Sequence, residues 1–273
     1  MKPHSPSYAR VGARLAYRRL RRSLYSLAGR NPYASGRHAP SVAEEWETVA
    51  ALLQSQLSEP ALLGEAEPGC LWNTCVGKYM FPRGLDPFYV KISTEEQAVN
   101  IYGISNHDRT VVDCGANVGL FTKHALSLGA ECVIAFEPSP FNAACFRHNL
   151  ADELRTGRVL LIEKGLYDHE GEVRFFTPTK DPFAHQVADD GDMSIQVTTL
   201  DRALEELGLD HVDFIKMDVE GSELRAIEGA RGILKRLRPR LAIATEHTHD
   251  YFDNASRVID LLVSLGYDYL CTQ

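Results

Sequence analysis

The sequence predicts an α/β protein: a doubly wound, mostly parallel sheet with an N-terminal helical extension. Three observations predict it. From Thr110 onward, short apolar runs rich in β-branched residues alternate with helix-period segments, the arrangement that covers both faces of a parallel sheet. The stretch TVVDCGANVGLFTKHALSL, Thr110 to Leu128, reads as a buried strand, a tight glycine turn and a helix stopped by Gly129. Acids stand where the strands end, at Asp113, Glu137, Asp218 and Glu246, on the edge where open α/β sheets bind ligands.

Taken in order, the chain begins with a basic arm. Residues 1–40 hold nine of the 29 Lys and Arg and no acid, which leaves 20 basic against 37 acidic residues in the remainder. Val11, Leu15, Leu20, Leu24 and Leu27 are spaced to form one face of a helix. The arm is therefore expected to pack on the domain, to contact a partner or membrane surface, or to act as a presequence. Ser41 with Glu44 forms a capping box for a helix running to Leu57. Pro60 to Pro87 is punctuated by Gly and Pro and is expected to be irregular, Phe88 to Ser93 a short strand, and Thr94 to Tyr102 a helix that brings Glu96 to the ligand mouth. The expected divisions are an arm over 1–40, a helical or irregular cap over 41–105 and a ligand-binding domain over 106–273.

Within that domain Cys132 to Phe136 is a second strand, closed by Glu137-Pro138, and Ser139-Pro140 starts a helix with Pro where its missing N–H costs nothing. Glu137 stands 24 residues beyond Asp113, placed either to accept hydrogen bonds from two ribose hydroxyls or to act as a helix-dipole acid. Arg158 to Glu163 is a third strand. Beyond it, Leu166 and Asp168 either meet an adenine edge or only lead into the turn Asp168 to Gly171 before the strand Glu172 to Thr177. Lys180 to Met193 is a polar loop, and Ser194 to Thr199 resumes extended structure before a short helix. His211 to Val219 is the fourth strand, on which Lys216, Asp218 and, if the strand continues, Glu220 share one face. A helix over Ser222 to Leu237, a strand over Arg240 to Thr245 ending in Glu246-His247, a helix over Asn254 to Leu265 and a last strand over Tyr267 to Cys271 complete the series.

Composition narrows the function. The acidic domain argues against nucleic-acid binding, which needs a positive surface. Six cysteines without a CxxC pair or zinc spacing point to a reducing, cytoplasmic setting and no disulfide framework. No apolar run reaches the length of a membrane span. Asp218, Glu220, Glu246 and His247 are of metal-ligand type, but nothing in the spacing shows that they converge, and no metal is expected.

The glycine turn separates two cofactor classes. A dinucleotide site needs GxGxxG, with a middle glycine where the pyrophosphate approaches; here Asp113-Cys114-Gly115-Ala116-Asn117-Val118-Gly119 lacks it and places a carboxylate in front. That anion repels a diphosphate and attracts an ammonium. S-adenosylmethionine, with an amino-acid end, a ribose and an adenine but no phosphate, fits better. A phosphate-cradling GxxxxGK motif is absent. The rival readings are an NAD-dependent oxidoreductase or epimerase on a similar sheet and a non-catalytic cofactor-binding protein.

Joined in order, DCGANVGLFT (Asp113 to Thr122), FEPSP (Phe136 to Pro140), GLYDHEGEV (Gly165 to Val173), TTLD (Thr198 to Asp201) and DFIKMDVEGSE (Asp213 to Glu223) resemble the FkbM family of S-adenosylmethionine-dependent methyltransferases. The resemblance spans roughly residues 85–270 and implies a class I methyltransferase (Rossmann-like) fold with O-methylation of a hydroxyl on a sugar, glycan or natural product. By motif, it puts Asp113, Gly115, Asn117 and Gly119 at the methionine end, Glu137 at the ribose, and Leu166 and Asp168 beside the adenine. Lys216, Asp218, Glu220 and His247 would face the transferred methyl group and the acceptor, with Asp218 or His247 as base. The fold usually adds a final antiparallel strand where this chain stops at Gln273, so a shortened edge, or one rebuilt from Glu172 to Thr199, is expected.

Overall fold

A computed structural model describes residues 24–27, 59–176, 186–187, 191–245 and 251–272. Its centre is a parallel sheet of β5 (Thr110–Cys114), β6 (Cys132–Phe136), β7 (Val159–Ile162), β12 (Phe214–Met217) and β13 (Arg240–Ile243), in the order β13-β12-β5-β6-β7. The inner strands β5, β6, β12 and β13 are buried on both faces, which is why they read as largely apolar runs, while the edge strand β7 leaves Leu160 exposed. Val112, Ile134, Ile215 and Leu241 face one side, where they meet α5 (Leu200–Glu206), α6 (Glu223–Glu228), α7 (Arg231–Leu237) and α8 (Tyr251–Ser264). Val111, Val133 and Phe214 face the other, against α2 (Leu120–Ser127) and α3 (Pro140–Asn149). The short α4 (Ala151–Arg155) follows α3 directly.

The far edge departs from the expectation of a helical arm. Leu24–Leu27 is a strand, β1, inserted antiparallel between β13 and β14 (Leu270–Thr272). Tyr25 pairs with Ile243 on one side and with Cys271 on the other. The antiparallel strand expected after the C-terminus is thus supplied from the N-terminal side, neither lost nor rebuilt from residues 172–199. The helix expected over 41–57 lies outside the described residues.

Two further expectations are corrected. The segment after Pro60 is an antiparallel sheet of β2 (Ala61–Ala66), β3 (Gly69–Thr74) and β4 (Gly77–Phe81). Most of its prolines and glycines fall at its ends and turns, with Gly64 at a bulge in β2, and Trp72, Met80 and Phe81 are buried in one cluster with Val118, Leu120 and Cys145. Phe88 to Ser93 belongs to one helix, α1 (Pro87–Ala98), because Asp86 caps it by accepting from the Phe88 N–H at 2.8 Å and Pro87 occupies its first turn. A second small sheet, β10-β9-β11-β8, joins β8 (Gly165–Leu166), β9 (Gly171–Phe176), β10 (Gln186–Val187) and β11 (Met193–Thr198) beside the strand ends.

Candidate active site

The site lies where β5, β6 and β12 end. The turn after β5 is built by left-handed backbone at Gly115 (φ 78°), Asn117 (φ 50°) and Gly119 (φ 88°). The glycines serve the chain's own packing: a Cβ on Gly115 would stand 1.9 Å from the Asp218 carbonyl oxygen, and one on Gly119 2.2 Å from Leu150 Cδ1. Gly115 is what lets the loop after β12 close over the loop after β5. Gly119 lets α2 start against α3 and does not line the cavity.

Asp113 is in the floor and not at the surface. It is fully buried, accepts a hydrogen bond from Thr122 Oγ1 at 2.6 Å, and its Oδ1 lies 3.3 Å from Lys216 Nζ. The parallel register sets Lys216 directly beside Asp113 on one face of neighbouring strands. Lys216 also donates to the carbonyl oxygens of Gly115, at 2.6 Å, and Cys114, at 3.3 Å. Burial by itself disfavours its charge, but the Asp113 and Asp218 carboxylates outweigh that and hold its pKa above the ordinary lysine value. Lys216 is therefore a buried cation that ties the glycine turn to the end of β12, and Asp113 balances it from below.

At the end of β6 Glu137 is 5% exposed and lines the cavity. Its carboxylate accepts the backbone N–H groups of Asn117 at 2.8 Å and Ser139 at 2.9 Å, and Asn142 Nδ2 at 3.4 Å. Burial nevertheless pushes its pKa up to about 7, since the hydrogen bonds to the anion offset only part of the desolvation. Because the folded value stands above the ordinary 4.5, the folded state binds a proton more tightly than the unfolded chain. Glu137 therefore contributes stability fully present below about pH 4.5 and lost as pH rises through about 7. Melting the ligand-free protein across this range should show that loss, on the order of 3 kcal/mol, and Glu137→Gln should flatten it. An equal slope in the variant would mean that the proton sits elsewhere.

The fourth strand ends earlier than expected, at Met217. Glu220 adopts φ 53° and so does not follow the strand alternation that would group it with Lys216 and Asp218, although the turn returns it to the cavity wall. Asp218 lines the same cavity, its N–H anchored on the Cys114 carbonyl at 3.0 Å and its Oδ2 accepting from Tyr102 Oη at 2.8 Å. Glu96 of α1 lines the opposite wall, and Leu166 of β8 a third. Asp168 does not line the cavity: it binds Arg225 Nη1 at 2.6 Å and His169 Nδ1 at 2.7 Å, and although burial raises its pKa these partners hold it below the ordinary aspartate value. His247 and Glu246 lie outside the described residues. Among the described residues no three His, Cys, Asp or Glu side chains gather as a metal site, and no helix is long and apolar enough to cross a membrane.

Sequence reasoning missed Tyr102, Thr122 and Asn142, each of which holds one of the acids. Thr122 and Asn142 are local to their partners, each at the start of the helix that follows the acid's strand. Tyr102 meets Asp218 through tertiary packing.

The cavity's chemistry selects among ligands. Asn117 and Asn142 line the cavity, and their Oδ1 atoms are buried and have no donor among the described residues. Together with Glu137 they present acceptors, which match ammonium, hydroxyl and amine groups and mismatch a pyrophosphate. A doubly wound, mostly parallel sheet with a glycine turn after β5 is the class I methyltransferase (Rossmann-like) fold. Residues 113–269 match the family model described as Methyltransferase FkbM domain, more than half of the 273 residues, and the chain belongs to this family of methyltransferases. Two relatives are the 2-O-methyltransferase NoeI of Sinorhizobium fredii, 26% identical over 178 residues (58% of this chain, 71% of the relative), and the hexuronic acid methyltransferase AglP of Haloferax volcanii, 28% identical over 133 residues (48% and 54%). A crystal structure of methyltransferase FkbM from Methylobacillus flagellatus is 27% identical with a TM-score of 0.44, covering 58% of this chain and 38% of that one.

Proposed function

We propose that the protein methylates a hydroxyl oxygen of a sugar, glycan or natural product with S-adenosylmethionine as donor. The observation that carries the donor is the pair of acceptors, Asn117 Oδ1 and Asn142 Oδ1, buried without a donor among the described residues, on two side chains that line the cavity with the Glu137 carboxylate. S-adenosylmethionine supplies donors at its ammonium, ribose and adenine ends, and an electrophilic methyl group on sulfur. The residues of this chain would hold it: Gly115 and Asn117 at the amino-acid end, Glu137 at the ribose and Leu166 beside the adenine. The relatives' activities, a 2-O-methyltransferase and a hexuronic acid methyltransferase, support a hydroxyl of a sugar as acceptor.

Asp218 is the base in this reading. It takes the acceptor's proton as the oxygen–methyl bond forms and the methyl–sulfur bond breaks, the electron pair remaining on sulfur. Lys216 anchors the turn beneath it, and Glu220 and Glu96 face the acceptor from two sides. The six cysteines without paired spacing support a reducing, cytoplasmic setting as part of the proposal. Calorimetry with S-adenosylmethionine and NAD, followed by measurement of S-adenosylhomocysteine release over a panel of glycosides and hydroxylated natural products, tests it. Binding of the sulfonium nucleoside alone and product with a hydroxylated acceptor are expected. Preferential NAD binding would overturn the donor, and release with none of the panel would overturn the acceptor class.

A further inference from the structure

Asp218 accepts a hydrogen bond from a residue far away in the chain. Tyr102 stands in the segment that joins α1 to β5, 116 positions before Asp218, and its hydroxyl donates to Asp218 Oδ2 at 2.8 Å. The ring is held on two sides: Phe121 of α2 meets it edge to face at 5.4 Å between centroids, and the Lys216 ammonium lies 5.4 Å from its centre. Phe121 in turn stacks on Phe214, whose backbone belongs to the same strand as Lys216. Tyr102 is only 7% exposed, so its hydroxyl has little freedom to turn away. The residue both lines the cavity and is wedged between the helical layer and the sheet.

We propose that Tyr102 is a positioning residue for the reaction: by donating a hydrogen bond to Asp218 Oδ2 it holds the carboxylate in the orientation from which it meets the acceptor hydroxyl. The inference rests on the reading of Asp218 as base. A carboxylate beyond the last residue of a strand, on a turn with left-handed backbone at Glu220 and Gly221, has several rotamers open to it. A hydrogen bond from a phenol whose ring is clamped on two sides removes that freedom, and pre-set geometry is where much of the rate of such transfers originates. Among the described residues, the charged groups around Asp218 are Lys216 on the strand that precedes it, Asp113 behind Lys216, and Glu220 and Glu96 on the cavity wall. A donated hydrogen bond favours the anion against those acids.

Tyr102→Phe retains the ring and its contact with Phe121 and removes only the hydroxyl. In the full chain, kcat should fall about ten-fold or more, while the dissociation constant for S-adenosylmethionine and the acceptor KM stay within about two-fold. The acid limb of kcat against pH should move to higher pH, because the anion has lost a donor. A double variant with Asp218→Asn should be no slower than Asp218→Asn alone, since both substitutions remove one device. A Tyr102→Phe enzyme with undiminished kcat and an unmoved acid limb would overturn the inference, as would losses that multiply in the double variant. If Asp218→Asn itself turned over normally, the base reading would fall and this inference with it. If Asp218→Asn were inactive and Tyr102→Phe normal, only the inference would fall.

Discussion

Asn in place of Asp218 is expected to lower turnover by roughly 10²- to 10⁴-fold, the range over which a positioned base acts, with affinity for S-adenosylmethionine largely kept. The substitution is close in size and keeps an oxygen toward Tyr102, so its hydrogen bond at 2.8 Å can persist. What disappears is the proton-accepting charge. The backbone N–H of Asp218, which joins this loop to the Cys114 carbonyl at 3.0 Å, is unaffected. The turn that would hold the amino-acid end of the nucleoside therefore keeps its shape. Calorimetry and single-turnover kinetics on the same preparation separate the two roles. Abolished nucleoside affinity would move Asp218 from chemistry to binding, and near-normal turnover would shift the base to another residue, with His247 the next to test.

The second large effect is on stability. Lys216→Met should destabilise the fold by roughly 3–5 kcal/mol, the usual consequence of removing one partner of a buried pair. Asp113 is fully buried and Lys216 nearly so, and without the ammonium Asp113 would keep, among the described residues, only the Thr122 hydroxyl as a side-chain partner. The Gly115 carbonyl would also lose its 2.6 Å donor inside a closed turn. Urea unfolding of the single variant, followed by Lys216→Met with Asp113→Leu, distinguishes an orphaned charge from lost packing. Recovery of much of the loss in the double variant is the expected result, because replacing both members leaves no charge unpaired. A loss below 1 kcal/mol in the single variant would show that water reaches Asp113. A stable single variant with collapsed nucleoside affinity would make Lys216 a binding residue instead of a foundation.

How far the sequence could be read depended on whether the deciding partner was local. Four of the five parallel strands were legible because burial on both faces favours apolar runs, and residues such as Val111, Val112, Ile134 and Ile215 follow, while the edge strand β7 is apolar though Leu160 is exposed. Helix α1 was misread because the aromatic and β-branched run Phe88 to Ser93 imitates a strand, whereas the cap supplied by Asp86 and Pro87 outweighs that propensity. The sheet β2-β3-β4 was hidden by prolines and glycines that mark its turns, since an antiparallel meander places such residues between its strands. Strand β1 was read as part of a helical face because its pairing partners Ile243 and Cys271 lie more than two hundred residues away.

The sequence by itself determined the layered α/β class, the glycine turn, the family motifs and the identity of the acids at the strand ends, because each is written in residues within one strand-turn-helix unit. Tertiary structure alone decided what those acids do. Strand register set Lys216 against Asp113 and withdrew that carboxylate into the floor. Close packing of the Asp218 carbonyl over Gly115 brought the two loops together. Tyr102 reached Asp218 across the layer between helix and sheet. A side chain's exposure and charge state depend on neighbours that only the folded chain brings into contact, and in this protein the Lys216 partner of Asp113 and the Tyr102 partner of Asp218 each lie about a hundred residues away along the chain.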